Sequence, residues 1–167
     1  ALDLTGEAIA NFGIIASDLS LDESSTSRLF NAVNTNPETA TFGKIYVMHR
    51  AGSSTSTAGQ KSGVWEYDYN LAKQNTEAYK GGLTRFGNPT RMSMDREGYL
   101  YIADWADGYS GIYLANTADM TQPFNQFFAG ARQSSGAISN NGVYTGSSTP
   151  GCYVYHNGNE VKLFVYN

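Results

Sequence analysis

The chain has 167 residues and a formal net charge of −4; 41% of the residues are hydrophobic and only 16% are charged. This length suits one domain with a sizeable core, and eleven scattered Lys and Arg give no cluster for neutralising phosphates, which argues against nucleic acid and anionic membrane as partners. No run approaches the ~18 consecutive apolar residues of a membrane-spanning helix, and the shortage of Ala, Leu, Glu, Lys and Arg at helical spacing leaves helix a minor component at most.

In chain order, the polar stretch Asp18 to Thr41 leads to the first strong signal, Phe42-Gly43-Lys44-Ile45-Tyr46-Val47-Met48-His49, a Gly turn launching a strand of aromatic and β-branched residues. After a Ser/Thr/Gly-rich connection, Arg50 to Ser62, the segment Gly63 to Tyr69 alternates Trp65, Tyr67 and Tyr69 with Glu66 and Asp68, the period-two pattern of a strand with one aromatic face. A short outer strand is predicted at Glu77-Ala78-Tyr79-Lys80. The second unit repeats the order more cleanly. Arg91 to Asp95 and Tyr99 to Asp104 form a hairpin around Asp95-Arg96-Glu97-Gly98, with Gly98 free to take a positive φ. Gly111 to Ala115 pairs next and Asn125 to Ala129 lies outermost. After the polar segment Gly130 to Gly151, a third hairpin joins Cys152 to His156 with Glu160 to Tyr166.

Ile45, Leu100 and Leu163 thus take equivalent places in three copies, spaced more widely than the ~40 to 50 residues of common blade repeats. The expected class is all-β, built as antiparallel four-stranded blades of a β-propeller, with approximate blades 14–86, 87–130 and an incomplete 150–167 inside a single domain 1–167. A propeller ring needs roughly four to eight blades, so the chain is expected to form part of one, completed by further chain or by a second copy. The alternative is a self-contained β-sandwich of about ten short strands.

The run Gly87-Asn88-Pro89-Thr90-Arg91-Met92-Ser93-Met94-Asp95, continuing through Gly98-Tyr99-Leu100-Tyr101-Ile102-Ala103-Asp104, resembles a repeat of the NHL-type and related secreted bacterial β-propellers. In that pattern a proline precedes the first strand, an Asp-x-x-Gly turn follows, and the next strand ends in Ala-Asp. The first copy departs from it in the long stretch Asp18 to Thr41, and the third ends in Tyr166-Asn167. The resemblance implies a non-catalytic binding module; low Lys, one Cys and abundant Ser, Thr, Asn, Gly and Tyr suggest a secreted, periplasmic or cell-surface address.

No Gly-x-Ser-x-Gly, phosphate loop, His-Glu-x-x-His or Cys-x-x-Cys occurs. Cys152 reads as a small buried strand residue rather than a reactive thiol, and His49 and His156 as strand-edge histidines rather than a zinc site. The richest segment is Asp104-Trp105-Ala106-Asp107-Gly108-Tyr109-Ser110-Gly111. Asp104, Trp105, Asp107 and Tyr109 are the candidate ligand-binding residues, the aromatic faces for stacking on sugar rings and the carboxylates for accepting hydroxyl hydrogen bonds. The competing reading is a hairpin loop with Trp105 packed on the blade. No cofactor is expected. Asp104, Asp107 and Asp119 would be the oxygens of a calcium site if one existed. The expected function is a glycan- or protein-binding module, with a polysaccharide-active hydrolase or lyase as the alternative, its carboxylates (Asp68, Asp104 or Asp107) and a histidine drawn from several blades.

Overall fold

The structure, a computed structural model, describes residues 28–50, 63–83, 89–104, 111–129, 151–157 and 159–166. Their strands form three antiparallel sheets, each made only of strands consecutive in sequence. The first sheet runs β1 (Arg28–Val33), β2 (Ile45–Arg50), β3 (Gly63–Tyr67). The second runs β4 (Pro89–Met94), β5 (Tyr99–Asp104), β6 (Gly111–Asn116), β7 (Asn125–Ala129), and the third pairs β8 (Gly151–Asn157) with β9 (Glu160–Tyr166). Local order of this kind follows from short connections: an antiparallel neighbour is reached by a turn, whereas a parallel one needs a crossover. Among the described residues no α-helix occurs, only the 3₁₀ turn Thr117–Asp119, whose first turn is capped by Asn116 accepting from the Ala118 amide at 3.0 Å.

The hairpin predicted around Asp95 to Gly98 is present, with Met94 opposite Leu100, and β5 pairs in turn with β6, Leu100 opposite Ala115. Gly98 has φ +87 and Gly43, in the corresponding turn of the first sheet, φ +77, the left-handed region that glycine enters without a Cβ penalty. Both predicted outer strands pair where expected. β7 lies on β6, and Tyr79 makes a single two-way bridge to Val64, with N–H to O distances of 3.0 and 2.9 Å. One strand was not predicted: the stretch Asp18 to Thr41, read as polar insertion, contains β1. Its inward residues Phe30 and Ala32 pack on the core while Asn31 and Val33 face outward, a short alternation easily lost in a Ser/Thr/Asn-rich background. In the third sheet Gly151–Asn157 pairs fully with Glu160–Tyr166, Val154 opposite Leu163.

Period-two geometry sends successive side chains of β5 to opposite faces, and both faces are apolar. Leu100 and Ile102, with Met92 and Tyr113, pack against Tyr46, Met48 and Val64 of the first sheet. Tyr101 and Ala103, with Ile112, pack against Cys152 and Val154 of the third. The sheets therefore stack in three layers, not the two of a sandwich, and β4 lies between β1 on one side and β8 on the other. Facing is conserved through the repeat: Ile45 and Val47 take the side of their sheet that Leu100 and Ile102 take of theirs. On the third sheet the side turned away from the stack carries Tyr153, Tyr155 and Phe164, 56%, 46% and 52% exposed.

The aromatic set predicted on β3 divides. Trp65 and Tyr67 are buried, Trp65 with Lys73 over its ring at 5.3 Å, whereas Tyr69 lies past the strand end and is exposed. The connection after β6 is locked to the first unit by Gly81, whose carbonyl accepts from the Phe124 amide at 3.0 Å while the Phe124 ring fills the space a Cβ would need.

Gly81 also has a positive φ of +59, so Gly81→Ala combines backbone strain with a steric clash and should cost about 2 to 5 kcal/mol. Gly82→Ala, at φ +82 but with its nearest neighbour 3.8 Å from the added Cβ, should cost only the backbone part, about 1 to 2 kcal/mol. Urea denaturation of both variants checks this; equal losses would mean that the Phe124 contact contributes nothing.

Candidate functional site

β2 and β5 run from one rim of the stack, where the short turns lie, to an opposite rim, from which the connections 51–62 and 105–110 depart. The two rims are built differently. At the turn rim Asp95 organises its hairpin: Oδ1 accepts from the amides of Glu97 at 2.9 Å and Tyr99 at 2.8 Å, and the Tyr101 hydroxyl donates to Oδ2 at 3.2 Å. Burial, then the adjacent Asp95 carboxylate, push the Tyr101 phenol up to about 12, so it stays a donor. Asn34 plays the matching backbone role in the first sheet. Its amide donates to Lys44 O at 3.0 Å and its carbonyl accepts from Gly43, as Asp95 donates to Tyr99 O and accepts from Gly98.

From Asn34 a polar chain crosses to the second sheet. Asn34 Nδ2 donates to the hydroxyls of Thr39 at 2.9 Å and Thr41 at 2.8 Å, and Thr41 and Thr117 share a hydroxyl contact of 2.9 Å. The Thr117 hydroxyl donates to Gly98 O at 2.6 Å, which leaves Thr41 as donor to Thr117. Tyr46 lies beside this pair; burial and then the Glu66 carboxylate push its phenol up to about 12, with the Thr117 and Thr41 hydroxyls opposing in part. Further out, Asn36 Nδ2 donates to Arg96 O at 2.7 Å, and the Arg96 amide donates to His156 Nε2 at 2.9 Å. One residue, Arg96, thereby ties the turn of the second sheet to both neighbours. Between the first two turns lies an open depression of about 740 Å³ lined by Thr35, Asn36, Glu38, Thr39, Arg96 and Glu97.

At the loop rim, as at the turn rim with Asn34, Asp95 and Thr117, the strand ends carry buried polar residues. Asp104 is 0% and His49 1% exposed, and Thr90, also buried, donates to Ala103 O at 3.4 Å. Asp104 and His49 occupy the same position in their sheets, each opposite a glycine, Gly111 and Gly63. Asp104 pairs directly with Gly111, so 105–110 leaves and re-enters the sheet at one ladder step. Of the four residues predicted to bind ligand, Asp104 is thus fixed inside the protein with an interaction partner, while Trp105, Asp107 and Tyr109 lie outside the described residues.

The remaining candidates are set apart by the topology. β6 starts at Asp104's rim and ends at the turn rim, where Asp119 follows; six strand residues at about 3.4 Å each put roughly 17 to 20 Å between them, so Asp104 and Asp119 do not share a cation. Asp119 is held by the Thr121 hydroxyl and amide and by Gln122, bonds that keep its carboxyl below the usual range. Asp68 likewise follows β3 at the turn rim, where its Oδ1 accepts from the Asn70 and Ala72 amides, both at 2.9 Å, and it cannot face Asp104 across a glycosidic bond. Among the described residues no three His, Cys, Asp or Glu side chains converge as metal ligands.

Sequence reasoning missed the Asn34–Thr41–Thr117 chain. The signal for it was the match between Asn34…Gly43 and Asp95…Gly98, obscured by the longer first turn. Cys152 is buried, its thiol donating to Tyr101 O at 3.4 Å, and burial pushes it up to about 12. The folded protein should therefore resist a disulfide thiol reagent at pH 8 and react with one equivalent on unfolding in guanidinium; fast labelling of the native protein would show the packing around Cys152 to be open. Comparison of the chain with protein-family models, with curated proteins and with solved structures gives no match.

Proposed function

We propose that the chain is a run of blades from a β-propeller-type, non-catalytic binding module that works outside the cytoplasm and holds glycan or protein ligands on the loops of one rim. The observation that carries this reading is the stacking order. Two meanders and a hairpin of consecutive antiparallel strands lie face on face with their first strands β1, β4 and β8 side by side, which is how radial blades approach a common axis. The repeat of Asn34…Gly43 by Asp95…Gly98, and of His49 by Asp104, supports it, because ring architectures reuse one unit at one orientation.

Division of labour between the rims supports the choice of ligand face. The turn rim spends its polar groups on joining sheets, whereas the loop rim anchors its connections on buried Asp104 and His49 and leaves the residues between them for recognition. In that reading Trp105 and Tyr109 supply stacking surface and Asp107 a hydrogen-bond acceptor. The preference for binding over hydrolysis rests on Asp68, committed to a local turn at the opposite rim from Asp104.

Trp105→Ala tests the site. It should weaken binding on a glycan array by about 1 to 3 kcal/mol with little change in melting temperature. If Trp105 instead packs on the sheet, the variant loses about 3 to 5 kcal/mol of stability and the ligand loop is refuted. Release of reducing or unsaturated ends from a polysaccharide panel by the unmodified protein would replace binding with catalysis.

A ring also requires a further sheet over Tyr153, Tyr155 and Phe164. The 167-residue chain by itself should accordingly self-associate in light scattering, and Phe164→Lys should reduce the effect. A monomer at every concentration would count against the ring.

A further inference from the structure

We propose that His156 is a pH-sensitive clasp: its neutral imidazole fastens the β8–β9 sheet to the β4–β5 turn, and protonation releases that end of the sheet. The geometry fixes the tautomer. Nε2 lies 2.9 Å from the Arg96 amide nitrogen, and since the backbone N–H can only donate, Nε2 must accept, which places the ring proton on Nδ1. Nδ1 is itself enclosed without a hydrogen-bond partner. A second proton would turn Nε2 into a donor facing another donor, and the imidazolium would have no acceptor at either nitrogen.

The charged and titratable groups packed around the ring do not supply one. From the turn, Asp95 is occupied by two amides and the Tyr101 hydroxyl, and Glu97 is joined to Arg96 at 3.3 Å. Glu38 lies across the depression beside Arg96. On the ring's own sheet Glu160 is paired with Lys162 at 2.9 Å, and Tyr155 faces the opposite side. The Arg96 guanidinium is taken up by Glu97, and Arg91 lies toward the other end of β4, opposite Ala103.

Among the described residues, what remains to hold the third sheet in acid is apolar packing around Cys152 and Val154, the Cys152 thiol on Tyr101 O, and the bond from the Val154 amide to Ser93 Oγ at 3.1 Å, all nearer the other rim. Release is therefore local. The hairpin end of β8–β9 swings free of Arg96 while its base stays docked. Histidine is the side chain whose ordinary charge change falls between pH 5 and 8, which sets the range to be searched.

The test is amide exchange read by NMR between pH 7.5 and 5.0, with protection expressed relative to the intrinsic rate at each pH. The Arg96 amide should lose roughly 3- to 10-fold protection across this range, the scale of one hydrogen bond, while Tyr99 and Leu100 hold theirs. In His156→Gln, whose side-chain oxygen accepts from Arg96 without titrating, the Arg96 profile should be flat; His49, the only other histidine, is retained as the control. Nitrogen-15 shifts of the His156 ring should report the Nδ1–H form at pH 7.5, a readout that holds even if the variant folds poorly. An Nε2–H ring, or an identical pH dependence in His156→Gln and the unmodified protein, overturns the proposal.

Discussion

Burial of both faces of one sheet is the constraint from which the rest of the molecule follows. β5 presents Leu100 and Ile102 to one side and Tyr101 and Ala103 to the other, and burying a side chain the size of Leu100 or Ile102 is worth about 1.5 to 3 kcal/mol. A strand apolar on both faces must be covered twice, so the second sheet needs a layer on either side. The first sheet supplies Tyr46, Met48 and Val64, and the third supplies Cys152 and Val154. Edge-to-edge pairing would satisfy backbone groups but leave these faces wet; stacking satisfies the faces, and within each sheet every strand pairs with its neighbour in sequence.

Hydrophobic burial is non-directional and would tolerate sheets sliding over one another. Directional bonds along the turn rim prevent that. The chain from Asn34 through Thr41 and Thr117 to Gly98 O, together with Asn36 to Arg96 O and Arg96 N to His156, sets the height of each sheet against the next. Gly98 matters twice over. Its positive φ closes the hairpin, and its carbonyl, exposed by that turn, is the acceptor that both the amide and the hydroxyl of Thr117 reach. Asn34, Thr41, Thr117 and Gly98 are bonded to each other, which is the condition for holding such groups between packed layers at low cost.

The same arrangement assigns work to the rims. At the loop rim, Asp104 and His49 sit at corresponding strand ends, fully enclosed, so the connections they launch start from fixed points. Under the proposed function, those fixed strand ends would carry the connections that display the binding surface.

Much of the stack was legible in the sequence because strands announce themselves locally. The apolar run Tyr99 to Ala103, the Asp95 to Gly98 turn and the spacing to Gly111 and Asn125 mark the strands and their antiparallel neighbours by strand propensity and turn chemistry alone. β1 escaped notice because two inward residues, Phe30 and Ala32, are too few to stand out, and its pairing with β2 spans a turn too long to read as a hairpin. What the sequence had no means to express was which polar residues would meet between sheets. Thr41 and Thr117 are 76 positions apart and Arg96 and His156 60, and hydroxyl, amide and imidazole groups carry no pattern that marks a partner at such distances. The fate of the acidic residues was equally a tertiary matter. Asp68, Asp104 and Asp119 look alike in one dimension, and only the antiparallel run of β3 and β6 from one rim to the other sends the first and last to the turns and buries the second at the strand end.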